Sequence, residues 1–208
     1  MITEPFPARY FIVNKPYNML SQFVSEREAT LLGDLDFDFP KGIHAVGRLD
    51  KQSEGLLILT TAKNVTRLLF QGETVHKRRY LVKVKNTVSE DKLQQLREGI
   101  PIRVEGGGYY TTSACEAEIV DEPIGLFSGD AGLYTYPPYT WLMITLTEGK
   151  FRQIRKMTAA IQHRCQRLIR VSIEDIELGD LAPGEVKEIA ENDFFRLLRI
   201  DNWQSVRR

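Results

Sequence analysis

The sequence offers chemistry first at Gly47-Arg48-Leu49-Asp50, where a guanidinium and a carboxylate stand two positions apart in a stretch bracketed by Gly47 and Gly55. If the backbone there is extended, Arg48 and Asp50 project the same way while Leu49 turns back into the protein. A carboxylate held like this can act as a general base or a nucleophile. The plainer alternative is a solvent-facing ion pair of little energetic consequence. Two more polar clusters stand out: His76-Lys77-Arg78-Arg79-Tyr80, with an aromatic beside three cations, and Gly149-Lys150-Phe151-Arg152-Gln153-Ile154-Arg155-Lys156-Met157, a basic run without acids.

The elements that must position these residues follow from periodicity. Residues 43–46 and 56–60 have the length and aliphatic content of buried strands, so residues 47–55 form a tight polar connection held at both ends. Residues 10–14 read as a strand stopped by Lys15-Pro16, and residues 19–24 as a second short strand. Residues 25–40 are polar and turn-rich, with one helical turn at 31–35. Val65, Leu68 and Leu69 predict a helix over 62–71, closed by Gly72. Residues 77–85 alternate as a strand carrying Tyr80, and residues 89–99 form a helix with Ser89 as N-cap and Gly99 at its end.

Strands over 102–118 are interrupted at Gly106-Gly107-Gly108, a turn that lacks the order of a phosphate or dinucleotide loop. Residues 121–139 make a long irregular loop, whose Tyr134, Tyr136 and Tyr139 either pack on the loop itself or stack on bases. Residues 141–146 alternate as a strand. Phe151, Ile154, Met157 and Ile161 form the apolar stripe of a helix whose other faces are basic. Strands at 167–171 and 173–178, a turn at 182–185 and a helix at 192–200 follow. The pattern is α+β, built on a largely antiparallel or mixed sheet with a few flanking helices. With no dividing linker, residues 1–203 read as one catalytic domain and 204–208 as a basic tail.

Composition narrows the classes. An apolar share of 42% in 208 residues supports a real core, not disorder. Cys115 and Cys165 stand far apart without metal-ligand spacing, so neither a disulfide scaffold nor a metal site is expected. No signal-like segment and no apolar run near the ~20 residues of a membrane span are present, so a cytoplasmic, membrane-free monomer is expected. The formal charge is zero, yet between Gly149 and Ile173 there is no acidic residue, so one face can be strongly positive on a neutral molecule. His44, His76 and His163 read as structural or phosphate-contacting.

A carboxylate, a tyrosine and an arginine under a basic surface suit an enzyme acting on a base within a folded RNA. Together the three clusters resemble the RsuA-type pseudouridine synthases. Residues 44–60 resemble that family's catalytic-aspartate motif, Tyr10-Phe11-Ile12-Val13-Asn14-Lys15-Pro16 its lysine-proline motif, residues 77–84 its tyrosine motif and residues 148–157 its basic-helix motif, in the family's order. The resemblance implies a bent sheet with the cleft across its middle. It also implies isomerisation of a uridine in 23S ribosomal RNA without a metal or organic cofactor.

By that resemblance, Asp50 matches the essential aspartate, Tyr80 the tyrosine on the target base, Arg155 the aspartate's basic partner, and Arg48 an arginine that helps displace the nucleotide. The cations Lys77, Arg78, Arg79, Lys150, Arg152 and Lys156 would then meet RNA. Many relatives begin with a small RNA-binding S4 domain, and here the motifs start too early for one, so docking is expected to rest on the catalytic domain or on a prefolded rRNA surface. The reaction cuts C1′–N1, turns the uracil and rejoins it at C5. Asp50 would serve by attacking C1′ or by taking the 2′ proton. The alternative is a noncatalytic rRNA-binding or ribosome-assembly factor on the same fold.

Overall fold

A computed structural model describes residues 7–70, 74–124, 137–201 and 203–206. In chain order its strands are β1 (Tyr10–Lys15), β2 (His44–Val46), β3 (Glu54–Thr60), β4 (Arg78–Lys85), β5 (Pro101–Arg103), β6 (Tyr109–Thr111), β7 (Glu116–Val120), β8 (Tyr139–Leu146), β9 (Cys165–Ile173), β10 (Ile176–Glu177) and β11 (Val186–Ile189). The helices are α1 (Val65–Phe70), α2 (Glu90–Glu98), α3 (Gln153–Ala160) and α4 (Glu191–Leu197). One large sheet runs β11-β1-β3-β9-β4-β8-β7, with β2 added to β3 and β10 to β9, while β5 and β6 form a separate hairpin. This is the expected α+β fold on a mixed sheet. Among the described residues, no helix is long and apolar enough to cross a membrane.

The sheet consists of two antiparallel halves joined by one parallel contact. β3 meets β9 through only two residue pairs, Glu54 with Ile169 and Gly55 with Arg170. β1 and β3 are buried at every position, because the sheet there is covered on both faces, which explains their nearly unbroken apolar sequences. On one face Tyr10, Ile12, Leu56 and Ile58 pack with Phe194 and Phe195 of α4. On the other, Phe11, Val13, Leu57 and Leu59 pack under Met19, Leu32 and Leu49. In the second half, Val82, Val84, Leu142 and Ile144 carry α2 and α3 through Leu93, Leu96, Ile154 and Met157.

Several boundaries depart from the sequence reading. Residues 19–24 are not a strand: Met19 makes an isolated bridge to Thr30, and the backbone bonds from the Leu20 N–H to the Thr30 carbonyl and from the Leu32 N–H to the Gln22 carbonyl do not extend into a ladder. The Lys15 ammonium donates to the carbonyls of Pro16 and Met19, at 2.8 and 2.9 Å, and Ser21 Oγ binds Leu49. β9 continues through Ser172, and the turn comes later, at Glu174, whose φ is +47°. β11, an edge strand with exposed Lys187 and Glu188 between half-buried Val186 and Ile189, carries too little apolar signal for periodicity to reveal it. Gly72 and residues 125–136 of the long loop, Tyr134 and Tyr136 included, lie outside the described residues, whereas Tyr139 opens β8.

Lys15 yields a pH prediction. Its side chain is fully buried, and desolvation pushes its pKa down to about 8, against the pull of Glu54 and Asp50 and with a further push from Arg170. Between about 8 and the unfolded value of 10.5 the unfolded chain binds more protons, so stability attributable to this group rises with pH across that window. Relative to Lys15→Met, which does not titrate, the wild type should gain on the order of 3 kcal/mol from pH 8 to 10.5. Urea denaturation of both proteins at a series of pH values checks this; a flat difference would refute it.

Candidate active site

The Asp50 connection is fixed from several sides. Ser21 Oγ accepts the Leu49 N–H at 3.0 Å and donates to the Leu49 carbonyl at 2.9 Å, so one buried hydroxyl grips the residue before the carboxylate. Leu49 is buried, as expected from its spacing, and the Ser53 N–H closes a turn on the Asp50 carbonyl at 2.9 Å. Gly47, at φ +72°, packs against the Phe70 ring; a Cβ there would come within 2.9 Å of it. Arg48 is exposed and is not the ion-pair partner of Asp50.

The Asp50 carboxylate faces two other guanidiniums. Arg152 Nη1 stands 3.8 Å from it and Arg155 Nε 3.9 Å, with the Asp50 side chain 22% exposed. Arg155 is held by the same loop: Nη2 donates to the Gln52 carbonyl at 2.6 Å and to Ser53 Oγ at 3.4 Å, while its buried Nε has no hydrogen-bond partner among the described residues and lies 3.9 Å from Asp50. The cation therefore needs little rearrangement to tighten on the carboxylate. Arg152 reaches the acid by a local device, a left-handed N-cap of α3 at φ +54°. Beside them, burial pushes the Cys165 thiol up to about 11, against Arg155 and Arg152, so it stays protonated near neutrality.

Tyr80 enters from β4. The ladder to β9 slips between Arg79 and Tyr80, so Arg79 opposes Ser172 and Tyr80 opposes Arg170. Such a bulge re-aims side chains beside functional clefts. The Tyr80 phenol and the buried Arg170 guanidinium interact; burial lowers the Arg170 pKa and Tyr80 works against that drop. Arg170 Nε donates to the Leu56 carbonyl at 2.7 Å, and no carboxylate among the described residues pairs with it. Glu54 instead takes Arg167, through two hydrogen bonds of 2.9 and 2.8 Å, locking the start of β3 onto β9.

Asp50 and Tyr80 line one cavity of about 780 Å³ at the junction of the two half-sheets. Its charged lining is Arg48, Lys51, Arg78, Lys150, Arg152 and Arg170 against Asp50 and Glu148, so the field favours a polyanion. Burial would raise the Glu148 pKa, but hydrogen bonds from Tyr110, the Ser113 N–H and Gln153 hold it below its usual value. These contacts tie the cavity rim to the β5–β6 hairpin, where Lys150 also covers the Tyr110 ring at 4.4 Å. Among the described residues, no group of three or more His, Cys, Asp or Glu is disposed to hold a metal ion.

The sequence-predicted site thus comes together in part. Asp50, Tyr80, Arg155, Arg48, Arg78, Lys150 and Arg152 gather at or directly behind the cavity. Lys77 and Arg79 do not line it: Lys77 pairs with Glu116 at 2.8 Å, and Arg79 borders a separate hollow with Arg97 and Glu118. Lys156 also lies outside the lining, over Phe151. Of the histidines, His163 binds the Lys85 carbonyl at 2.9 Å and His76 is buried against Glu174. Sequence reasoning missed Ser21, Arg170 and the Glu54–Arg167 pair. A lone arginine within the apolar run Leu168-Ile169-Arg170-Val171 was the one available signal for Arg170.

Comparison with known proteins agrees with this architecture. The family model described as RNA pseudouridylate synthase matches residues 9–160. Ribosomal large subunit pseudouridine synthase E of Vibrio parahaemolyticus is 38% identical over 182 residues, covering 87% of this chain and 74% of the relative. The protein of the same name from Xanthomonas axonopodis is 34% identical, over 83% of this chain and 89% of its own length. A crystal structure of a pseudouridylate synthase superposes with a TM-score of 0.74 at 25% identity, over 92% of this chain and 74% of that one. Human RNA pseudouridylate synthase domain containing 1, at 17% identity and a TM-score of 0.55 over 93% of this chain and 83% of its own, shares the fold. Matched over most of its length by family model, relatives and fold, the chain belongs to the RNA pseudouridylate synthases, isomerases that act on RNA.

Proposed function

We propose that this protein converts one uridine of 23S ribosomal RNA to pseudouridine, with Asp50 as the reacting carboxylate. The observation that carries the proposal is the Asp50 carboxylate between Arg152 and Arg155, at 3.8 and 3.9 Å, beside a cation-lined cavity that also holds Tyr80. The relatives are named as pseudouridine synthases of the ribosomal large subunit, which supports that choice of RNA. Residues 1–203 act as one catalytic unit, as a cytoplasmic monomer.

In this reading the basic rim draws in the backbone, and Arg48, exposed beside the carboxylate, fills the place of the displaced nucleotide. Extruding the base costs a few kcal/mol, which stacking on the Tyr80 ring, worth about 1 to 3 kcal/mol, offsets. Arg155 keeps Asp50 aimed while C1′–N1 is cut. The uracil turns, C5 bonds to C1′, and the C5 proton leaves, so no electrons are gained or lost overall. Lys77 and Arg79 would meet outer parts of the RNA.

The test is to map pseudouridines in 23S rRNA from the source strain and from a deletion strain, then to incubate the unmodified rRNA with purified protein. One uridine should lose its modification in the deletion and regain it in vitro. An unchanged map, or rRNA that stays unmodified, would refute the assignment.

A further inference from the structure

Phe151 lines the Asp50 cavity yet is 69% exposed, although its spacing with Ile154, Met157 and Ile161 would place it in a buried stripe. The other three are buried, at 4%, 0% and 0%. Phe151 escapes because α3 begins only at Gln153, after the left-handed Arg152 breaks the helical register. A left-handed arginine and a solvent-facing phenylalanine both cost stability, and here they are adjacent. The same reversal that delivers Arg152 to within 3.8 Å of Asp50 turns the phenylalanine ring toward the rim.

The ring's surroundings identify what it suits. Lys156 Nζ lies 5.3 Å from its centroid, and its sequence neighbours are Lys150 and Arg152. Phe70 and Val75 also line the cavity and are 43% and 64% exposed, but the Phe70 ring already packs against Gly47 and faces Arg78. Phe151 is thus the more open of the two rings and lies among cations, which does not suit an apolar protein surface or a lipid. It does fit a planar base whose phosphates those cations hold. We propose that Phe151 is a stacking platform for an unpaired nucleobase adjoining the uridine that enters the cavity. The proposal rests on the uridine-isomerase reading and adds a specificity determinant: targets are favoured whose neighbouring base can leave its own stack. Tyr80 then serves the reacting base and Phe151 its neighbour.

The experiment uses the full chain and a 23S rRNA fragment carrying the uridine that the wild type modifies, with 2-aminopurine at either neighbouring position. Phe151→Leu keeps the bulk and hydrophobicity but removes the aromatic face; Phe151→Tyr keeps the face. For Phe151→Leu, KM should rise roughly 5- to 160-fold, the worth of one stacked base, with kcat nearly unchanged, and Phe151→Tyr should restore it. At one of the two positions 2-aminopurine should be quenched by the wild type and by Phe151→Tyr, but not by Phe151→Leu. An abasic residue there should weaken the wild type as much as Phe151→Leu does and weaken that variant no further.

Wild-type KM and quenching in Phe151→Leu would overturn the proposal, as would a fall in kcat at constant KM, which would mean that the ring only supports Arg152. A defect seen on ribosomal particles but not on naked RNA would overturn it in favour of a protein contact. Because wild-type turnover on the fragment is the control, its absence would instead refute the reaction itself, and the platform with it.

Discussion

Asp50→Asn should abolish pseudouridine formation, by about 10⁴-fold, the upper end of what one positioned acid–base group contributes. The replacement is nearly isosteric, and Arg155 keeps its hydrogen bonds to Gln52 and Ser53, so the loop should hold its shape. The lost ion pairs are long and partly exposed, which limits the stability change to about 1 kcal/mol. RNA affinity should stay level or rise slightly, because the variant removes a negative charge from a cavity that meets phosphates. Single-turnover assays on the rRNA substrate, with parallel binding and melting measurements, separate these effects. Near-normal turnover would end the assignment of Asp50.

The largest structural effect should come from Gly55→Ala. Gly55 sits at φ +97°, and a Cβ there would lie 2.3 Å from the Arg170 carbonyl oxygen and 2.9 Å from its nitrogen. Neither strand can yield easily. Gly55–Arg170 is one of only two residue pairs joining β3 to β9, and Arg170 also pairs across β4 with Tyr80. The expected cost is about 4 kcal/mol or more, since a backbone clash adds to the strain of the conformation. For a chain this size that lowers Tm by roughly 8–16 °C. Gly106→Ala is the control: φ is +84° there, but nothing lies within 4 Å of the added methyl, leaving only the backbone strain of about 1–2 kcal/mol. Differential scanning calorimetry of the two variants decides the matter, and equal losses would show that the tight seam contributes nothing. Turnover should fall with Gly55→Ala as well, because the Asp50 loop runs directly into this seam.

What was legible in the chain was whatever depends on neighbours a few residues apart. The strand on either side of the Asp50 loop, the inward turn of Leu49, α2 between Ser89 and Gly99, and the basic run around α3 all follow from local period and spacing. Ser89 illustrates the limit of that reading, since it stands at the N-cap position without a side-chain capping bond. The ordered motifs also pointed to Asp50, Tyr80 and Arg155 as companions although they are remote along the chain.

The amino-acid sequence by itself determined the inventory: a carboxylate between two glycines, a tyrosine on a basic strand, an acid-free cationic stretch, and enough alternating apolar sequence to build a sheet. Tertiary structure alone decided who meets whom. The β4–β9 bulge set Tyr80 against Arg170, and the left-handed Arg152 gave Asp50 a second cation while expelling Phe151 from the core stripe. On β4, Arg78 came to line the cavity while Arg79 came to border a separate hollow, and Ser21 became the clamp on Leu49. Periodicity governs which way a side chain points relative to its own element. Bulges, positive-φ turns and two-residue contacts between distant strands depend on atoms far away in sequence, so they arise only when the whole sheet closes.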